Sequence, residues 1–250
     1  MMRRTGTKRF TEPCAAVIAA LLALLPAGSA RAAPEMVDTA LVLAVDVSQS
    51  VNDERFALQM EGIAKAFEDS GVQASIFSGP HRAMFVTLVE WSDKAAVAIP
   101  WTLIASKADA AAFAATLRKT PRRGAEFTCM SRALQLIGDK ILPFLPMPAN
   151  RTVIDVSSDG HDNCNLNPTV DVLRDALVAE NVTINGLPIL EGDEAATLEA
   201  WYKAHVIGGP SAFTIPAHGY DDFERAMRRK FVTEISEVPV QLQPALDAEQ

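Results

Sequence analysis

The sequence predicts an α/β fold: a three-layer, doubly wound, mostly parallel sheet with one antiparallel edge strand. Three observations predict it. Apolar runs at 39–47, 83–91, 152–156 and 182–187 read as strands buried on both faces. Segments of helical periodicity separate most of them, which implies right-handed crossovers and helices on both faces of the sheet. The pair 83–91 and 95–99, joined by the turn Ser92-Asp93-Lys94, reads as a hairpin that puts an antiparallel strand at the edge.

Each element has a local reason. After the 39–47 run, Asn52 or Asp53 can cap a helix that aligns Phe56, Met60, Ile63, Ala64 and Phe67 on one stripe. Residues 71–82 lack a clear period and read as loop. Ser106 and Asp109 make a capping-box-like start for a helix at 107–119. A basic, glycine-containing loop at 121–126 leads into a helical pattern at 129–142, which stops before Pro143. Asn167-Pro168 predicts a cap and a first-turn proline for a helix running to Glu180. A helix at 195–205, a strand at 213–215 and a final helix at 220–235 complete the domain.

The N-terminus reads as a secretory signal peptide over residues 1–32. Arg3, Arg4, Lys8 and Arg9 form a basic start, 15–25 is an apolar run of 11 residues, and Ala30-Arg31-Ala32 offers a small-residue cleavage site. The run is too short to span a bilayer. Arg3-Arg4 suggests a twin-arginine signal, but no hydrophobic pair follows at the expected place, and Cys14 lacks a lipobox. The folded domain is expected at 33–236, followed by a loose tail at 237–250 that carries Pro239 and Pro244. Without the leader, 18 basic residues stand against 30 acidic ones, a net charge of −12. That balance argues against nucleic acid or an anionic membrane as partner and is compatible with cation binding. No later stretch is long and apolar enough to form an integral membrane segment. The expected product is exported, either periplasmic or secreted.

Loss of Cys14 leaves Cys129 and Cys164, an even pair in an oxidising compartment. They form either a disulfide, stabilising the fold by roughly 4 kcal/mol on the chain-entropy model, or two buried free thiols. A thiolate metal site is disfavoured, because no CxxC or paired histidine spacing accompanies them.

The chemistry-bearing stretch is Asp46-Val47-Ser48-Gln49-Ser50. One carboxylate and two hydroxyls on alternate residues, at the end of a buried strand, offer converging oxygens of the kind Mg²⁺ prefers. The motif alone is unspecific, since serines after a strand often cap the next helix. Two later segments can complete it: Thr128 at the mouth of a helix, and Asp159-Gly160 after the 152–156 strand. In open α/β sheets, ligands sit beyond the carboxyl ends of strands where the strand order reverses. A reversal would set 152–156 beside 39–47.

This set resembles the metal-ion-dependent adhesion site (MIDAS) of von Willebrand factor type A (vWA) domains: D-x-S-x-S, a distant Thr, and a distant Asp followed by Gly. Glu90-Trp91-Ser92, the 184–189 stretch and the 206–210 stretch look like a narrower group of exported bacterial proteins with this fold and no assigned function. The resemblance implies a vWA/Rossmann-like domain in which Asp46, Ser48, Ser50, Thr128 and Asp159 hold Mg²⁺, with Mn²⁺ or Ca²⁺ as alternatives. It further implies a protein partner offering an acidic side chain to an open coordination position. A Cys129–Cys164 bridge would then tie two ligand loops together. The loop Gly124-Ala125-Glu126-Phe127 departs from the family's glycine-rich version, and Glu126 is a candidate competitor for the ion.

Bland readings compete at each position: an Asx-turn at Asp46, helix caps at Ser48, Ser50 and Thr128, and an ordinary turn at Asp159-Gly160. His161 and Asp162 belong to a solvated loop, contact a partner, or serve catalysis. There is no G-x-S-x-G elbow, HExxH, P-loop or dinucleotide fingerprint. A binding domain rather than an enzyme is therefore expected. The alternatives are a metal-dependent hydrolase built on Asp46, Asp159, His161 and Asp162, or a structural exported domain.

Overall fold

A computed structural model of the chain describes residues 1–2 and 34–236. The expected leader beyond Met2, with Arg3-Arg4 and Cys14, and the expected tail at 237–250 lie outside the described residues. Strand β1 (Val37–Asp46) is followed by helices α1 (Asp53–Glu68) and α2 (Ser70–Ile76). The hairpin β2 (Met84–Trp91) and β3 (Ala95–Ile104) comes next, then α3 (Lys107–Leu117) and α4 (Met130–Leu136). Strand β4 (Ala149–Ser158), α5 (Val170–Ala179), β5 (Val182–Pro188), α6 (Ala195–Trp201) and α7 (Phe223–Ser236) complete the order.

The sheet runs β3-β2-β1-β4-β5, with β1 parallel to β2 and β4, β5 parallel to β4, and β3 antiparallel at the edge. This is the doubly wound sheet that the apolar runs predict. Alternation along β1 explains why it reads as continuously apolar. Leu41, Leu43 and Val45 pack on one face against α1, α2, α3 and α7, while Val42 and Ala44 pack on the other against α4, α5 and α6. The order reverses at β1, so the carboxyl ends of β1 and β4 flank one crevice.

Several boundaries depart from the sequence reading. The 71–82 loop begins with α2, which Asp69 caps by accepting from Gly71 N and Val72 N at 2.9 and 3.0 Å. Gly71 in its first turn hides that helix. Strand β3 continues through Pro100 to Ile104, because an edge strand with a register shift tolerates a missing donor. The 129–142 helix is α only as far as Leu136; a π turn at Ile137–Ile141 and a 3₁₀ turn at Leu142–Phe144 follow. Helix α5 starts after Thr169, so Pro168 precedes the cap instead of occupying the first turn. The 195–205 helix ends in a π turn at Tyr202–Val206. Residues 213–215 make one isolated bridge, Thr214 to Gly186, and are no strand of their own.

Candidate metal centre

Asp46 closes β1 with its side chain fully buried. Its Oδ1 accepts from Ser48 N at 2.7 Å, the Asx-turn that the bland reading predicts. Its Oδ2 accepts a 2.5 Å hydrogen bond from Ser158 Oγ, at the end of the neighbouring β4. One carboxylate thus fixes the β1 loop and ties it to β4. Burial raises the Asp46 carboxyl to about 7, although the Ser158 and Ser48 hydrogen bonds favour its charged form.

The capping alternative for Ser48 and Ser50 does not hold. Helix α1 is capped by Asn52, whose Oδ1 accepts from Arg55 N at 2.9 Å. The serine hydroxyls turn toward β4 instead. Ser48 Oγ lies 3.2 Å from Ser50 Oγ, and Ser50 Oγ donates to Asp159 Oδ1 at 2.6 Å. Asp159 is buried and its Oδ2 accepts from Tyr220 OH at 3.0 Å, so its carboxylate does more than form a turn.

Thr128 does not cap α4 either. Asp162 does that, with Oδ1 accepting from Ser131 N at 3.0 Å and from Ser131 Oγ at 3.2 Å. The Thr128 backbone is held from both sides: its N–H donates to Asn163 Oδ1 at 2.9 Å, and its carbonyl accepts from Asn163 N at 3.0 Å. Cys129 and Cys164 form a disulfide with Cα atoms 5.2 Å apart. That bond and the Asn163 clasp join the Thr128 and Asp159 loops. Thr128, Ser50, Asp159 and Gly160 line one cavity of about 270 Å³. Glu126 meets the D-x-S-x-S loop through its backbone carbonyl, which accepts from Gln49 N at 3.4 Å.

Four further residues, unassigned from sequence, support the same crevice. Arg122 donates to the carbonyls of Val47 and Ser48 at 3.0 and 2.9 Å. Arg55 donates to the Ser50 carbonyl at 2.6 Å, pairs with Glu191, and lies 3.7 Å from Asp159. Tyr220 reaches Asp159 from the 3₁₀ turn before α7, and Ser158 holds Asp46. The Ser-Ser-Asp-Gly run carried a signal for Ser158, because a hydroxyl next to the candidate carboxylate reaches the adjacent strand. Arg55 and Arg122 act through long side chains onto carbonyls, a contact that spacing does not reveal.

Three oxygens from two loops stand in an unbroken chain: Ser48, Ser50 and Asp159. Neighbouring ligands around octahedral Mg²⁺, at metal–oxygen distances of about 2.1 Å, lie about 3 Å apart. The 3.2 and 2.6 Å separations bracket that value. Glu191, Asp193 and Glu194 on the cavity wall, opposed by Arg55, leave it net acidic and add attraction for a cation. The donors suit a hard divalent ion. Among the described residues, no group of three or more His, Cys, Asp or Glu is placed to hold a metal. That agrees with a set made of hydroxyls and only two carboxylates.

His161 lines the same cavity. Its backbone N–H donates to Glu194 Oε2 at 2.6 Å, its ring Nδ1 lies 3.5 Å from the same oxygen, and its ring centre lies 5.0 Å from that of Trp201.

The family described as "Protein of unknown function (DUF1194)" matches residues 36–239. No curated protein matches the chain. Among solved structures, proximal thread matrix protein 1 from the mussel byssus aligns with TM-score 0.60 and 15% identity. That alignment covers 81% of this chain and 47% of the mussel protein. A von Willebrand factor type A protein from Catenulispora acidiphila aligns at TM-score 0.57 and 17% identity, covering 80% and 43%. The pilus adhesin SpaC from Lactobacillus rhamnosus GG aligns at 0.58 and 12%, covering 80% and 31%. The chain thus spans less than half the length of each, and at these identities the likeness shows the vWA fold alone.

Proposed function

We propose that this chain, which belongs to the DUF1194 family, is an exported metal-dependent binding domain that grips an acidic side chain of a protein partner. The observation that carries the reading is the Ser48–Ser50–Asp159 oxygen chain at the carboxyl ends of β1 and β4. Ser48, Ser50 and Asp159 would hold the cation, Thr128 would contribute a third hydroxyl, and Asp46 would act from behind the serines. When bound, Mg²⁺, or Mn²⁺ or Ca²⁺ in its place, supplies an electrophilic position for one carboxylate oxygen. The chain's own residues do the rest. Asp46 and Ser158 fix the β1 loop, Arg122 and Arg55 hold its carbonyls, and the disulfide limits the freedom of the Thr128 loop. A preassembled site loses little entropy when ion and partner arrive.

Two likenesses support the reading without carrying it. One form of the mussel protein is described with a zinc-occupied MIDAS motif, and SpaC is described as a pilus adhesin. For location, the Cys129–Cys164 disulfide suits an oxidising compartment. Among the described residues, no helix is long and apolar enough to cross a membrane.

The hydrolase alternative needs His161 or Asp162 free to act on a substrate. Asp162 is committed to the α4 N-terminus, whereas His161 lines the cavity with Glu194 and Trp201 beside its ring. The Asp162 contact favours binding over turnover. The test is capture of exported proteins by the immobilised chain in magnesium, in EDTA, and with Ser48→Ala. Proteins retained only by the native chain in magnesium support the proposal. An identical catch in all three arms leaves a structural domain. Ester or phosphoester turnover lost in His161→Ala, with the ion still bound, would establish the hydrolase.

A further inference from the structure

The sheet face beneath α7 buries four polar side chains that take no part in the metal centre. They are Asp155 of β4, Asn185 of β5, and Lys230 and Glu234 of α7, each exposed by 5% or less. A lysine with no exposed surface is rare and needs a close partner. Lys230 Nζ sits in direct contact with Asp155 Oδ1 and 3.6 Å from Glu234 Oε2, with the Phe213 ring centre 5.5 Å away. Asn185 orients the acid beside them: its Nδ2 donates to Glu234 Oε1 at 2.5 Å, and its Oδ1 accepts from Phe213 N at 3.1 Å. Asp155 Oδ2 and Glu234 Oε2 make no hydrogen bond among the described residues. Burial and the neighbouring Glu234 charge push the Asp155 carboxyl well above the usual carboxylate range, toward its neutral acid.

We propose that Lys230 and Asp155 become joined by an isopeptide bond, an amide between Nζ and Cγ, formed inside the folded chain with Glu234 as proton carrier. The neutral amine adds to Cγ of the protonated Asp155 carboxyl. Glu234 takes a proton from the nitrogen and returns it to the departing hydroxyl, which leaves as water. One N–C bond forms and one C–O bond breaks. An ammonium and a carboxylate become a secondary amide and one water, and nothing is oxidised or reduced.

Three features favour the step. The reacting groups are held in contact, which replaces a bimolecular encounter by a positioned one. Burial favours the neutral Asp155 acid that the addition needs. The product removes both charges and one carboxylate oxygen. Its consequence is mechanical: the last helix is tied covalently to the central sheet and keeps its register against β4. This inference does not depend on metal binding.

The test is the mass and peptide map of the full chain purified natively, reduced and cut with trypsin. Cleavage after Arg151, Arg174 and Arg229 should yield a branched peptide joining 152–174 to 230–250, one water lighter than its two parts. Separate, unmodified peptides from these two segments would overturn the proposal, as would a water loss mapped elsewhere. Glu234→Gln, which preserves size, should leave most chains unlinked; full linkage in that variant would overturn the role given to Glu234. Lys230→Arg should show no linkage and a lower melting temperature.

Discussion

The hydroxyl of Ser50 donates to Asp159 Oδ1 at 2.6 Å, joining loops that lie 109 residues apart. This contact brings the β1 loop and the β4 loop to one point, and both oxygens are ligands in the proposed centre. Ser50→Ala and Asp159→Asn should therefore each weaken magnesium binding about tenfold or more while far-UV circular dichroism stays unchanged. Calorimetric titration of both variants against the native chain checks this.

Asp46 gives the site a pH dependence with a definite sign. Its carboxyl is raised to about 7 by burial, whereas the unfolded chain releases that proton near 4. Between those values the folded metal-free chain holds a proton that the unfolded chain does not. The contribution to stability is thus greatest below about pH 4 and declines as pH rises to about 7. Glu90, also raised to about 7 by burial, acts in the same direction. Magnesium binding near a deprotonated Asp46 competes with this proton, so affinity should rise from about pH 6 to about pH 8 and then level off. Melting curves in EDTA and in magnesium should separate more widely as pH rises, and a separation independent of pH would count against Asp46.

Ser158 touches Asp46 and is no ligand in the proposed centre. Ser158→Ala leaves Asp46 Oδ2 without its hydroxyl donor, which should cost about 1–3 kcal/mol of stability. Magnesium affinity should fall by roughly 10–100-fold through loss of loop order. Denaturant unfolding and metal titration of the one variant measure both effects.

The disulfide closes a 35-residue separation, for which chain entropy gives about 4 kcal/mol. Cys129→Ser with Cys164→Ser should lower the unfolding free energy by up to that amount. It should also weaken magnesium binding, because the Thr128 and Asp159 loops lose their covalent link. Retained affinity in a destabilised variant would confine the bond to fold stability.

Much of this was legible in the sequence because it rests on local pattern. The strands on both sides of the switch point read as apolar runs, and D-x-S-x-S, Thr128 and Asp159-Gly160 each fall at an element boundary. What pattern could not supply is which competing role each polar side chain takes. Asn52 caps α1 and frees Ser48 and Ser50, and Asp162 caps α4 and frees Thr128. The second of these is a contact across loops that no local spacing encodes. Helix α2 was hidden by a glycine in its first turn, and no local pattern marks Lys230 as buried. Arg55, Arg122 and Tyr220 reach the site only after folding brings distant elements together.

The measurement that bears most directly on the proposed cation is a crystal of the chain grown with Mn²⁺ and examined by anomalous scattering. The account predicts one strong peak within about 2.0–2.4 Å of Ser48 Oγ and Ser50 Oγ, with Asp159 and Thr128 in its shell directly or through water. A peak elsewhere on the acidic surface, or none between the β1 and β4 loops at millimolar metal, would contradict it.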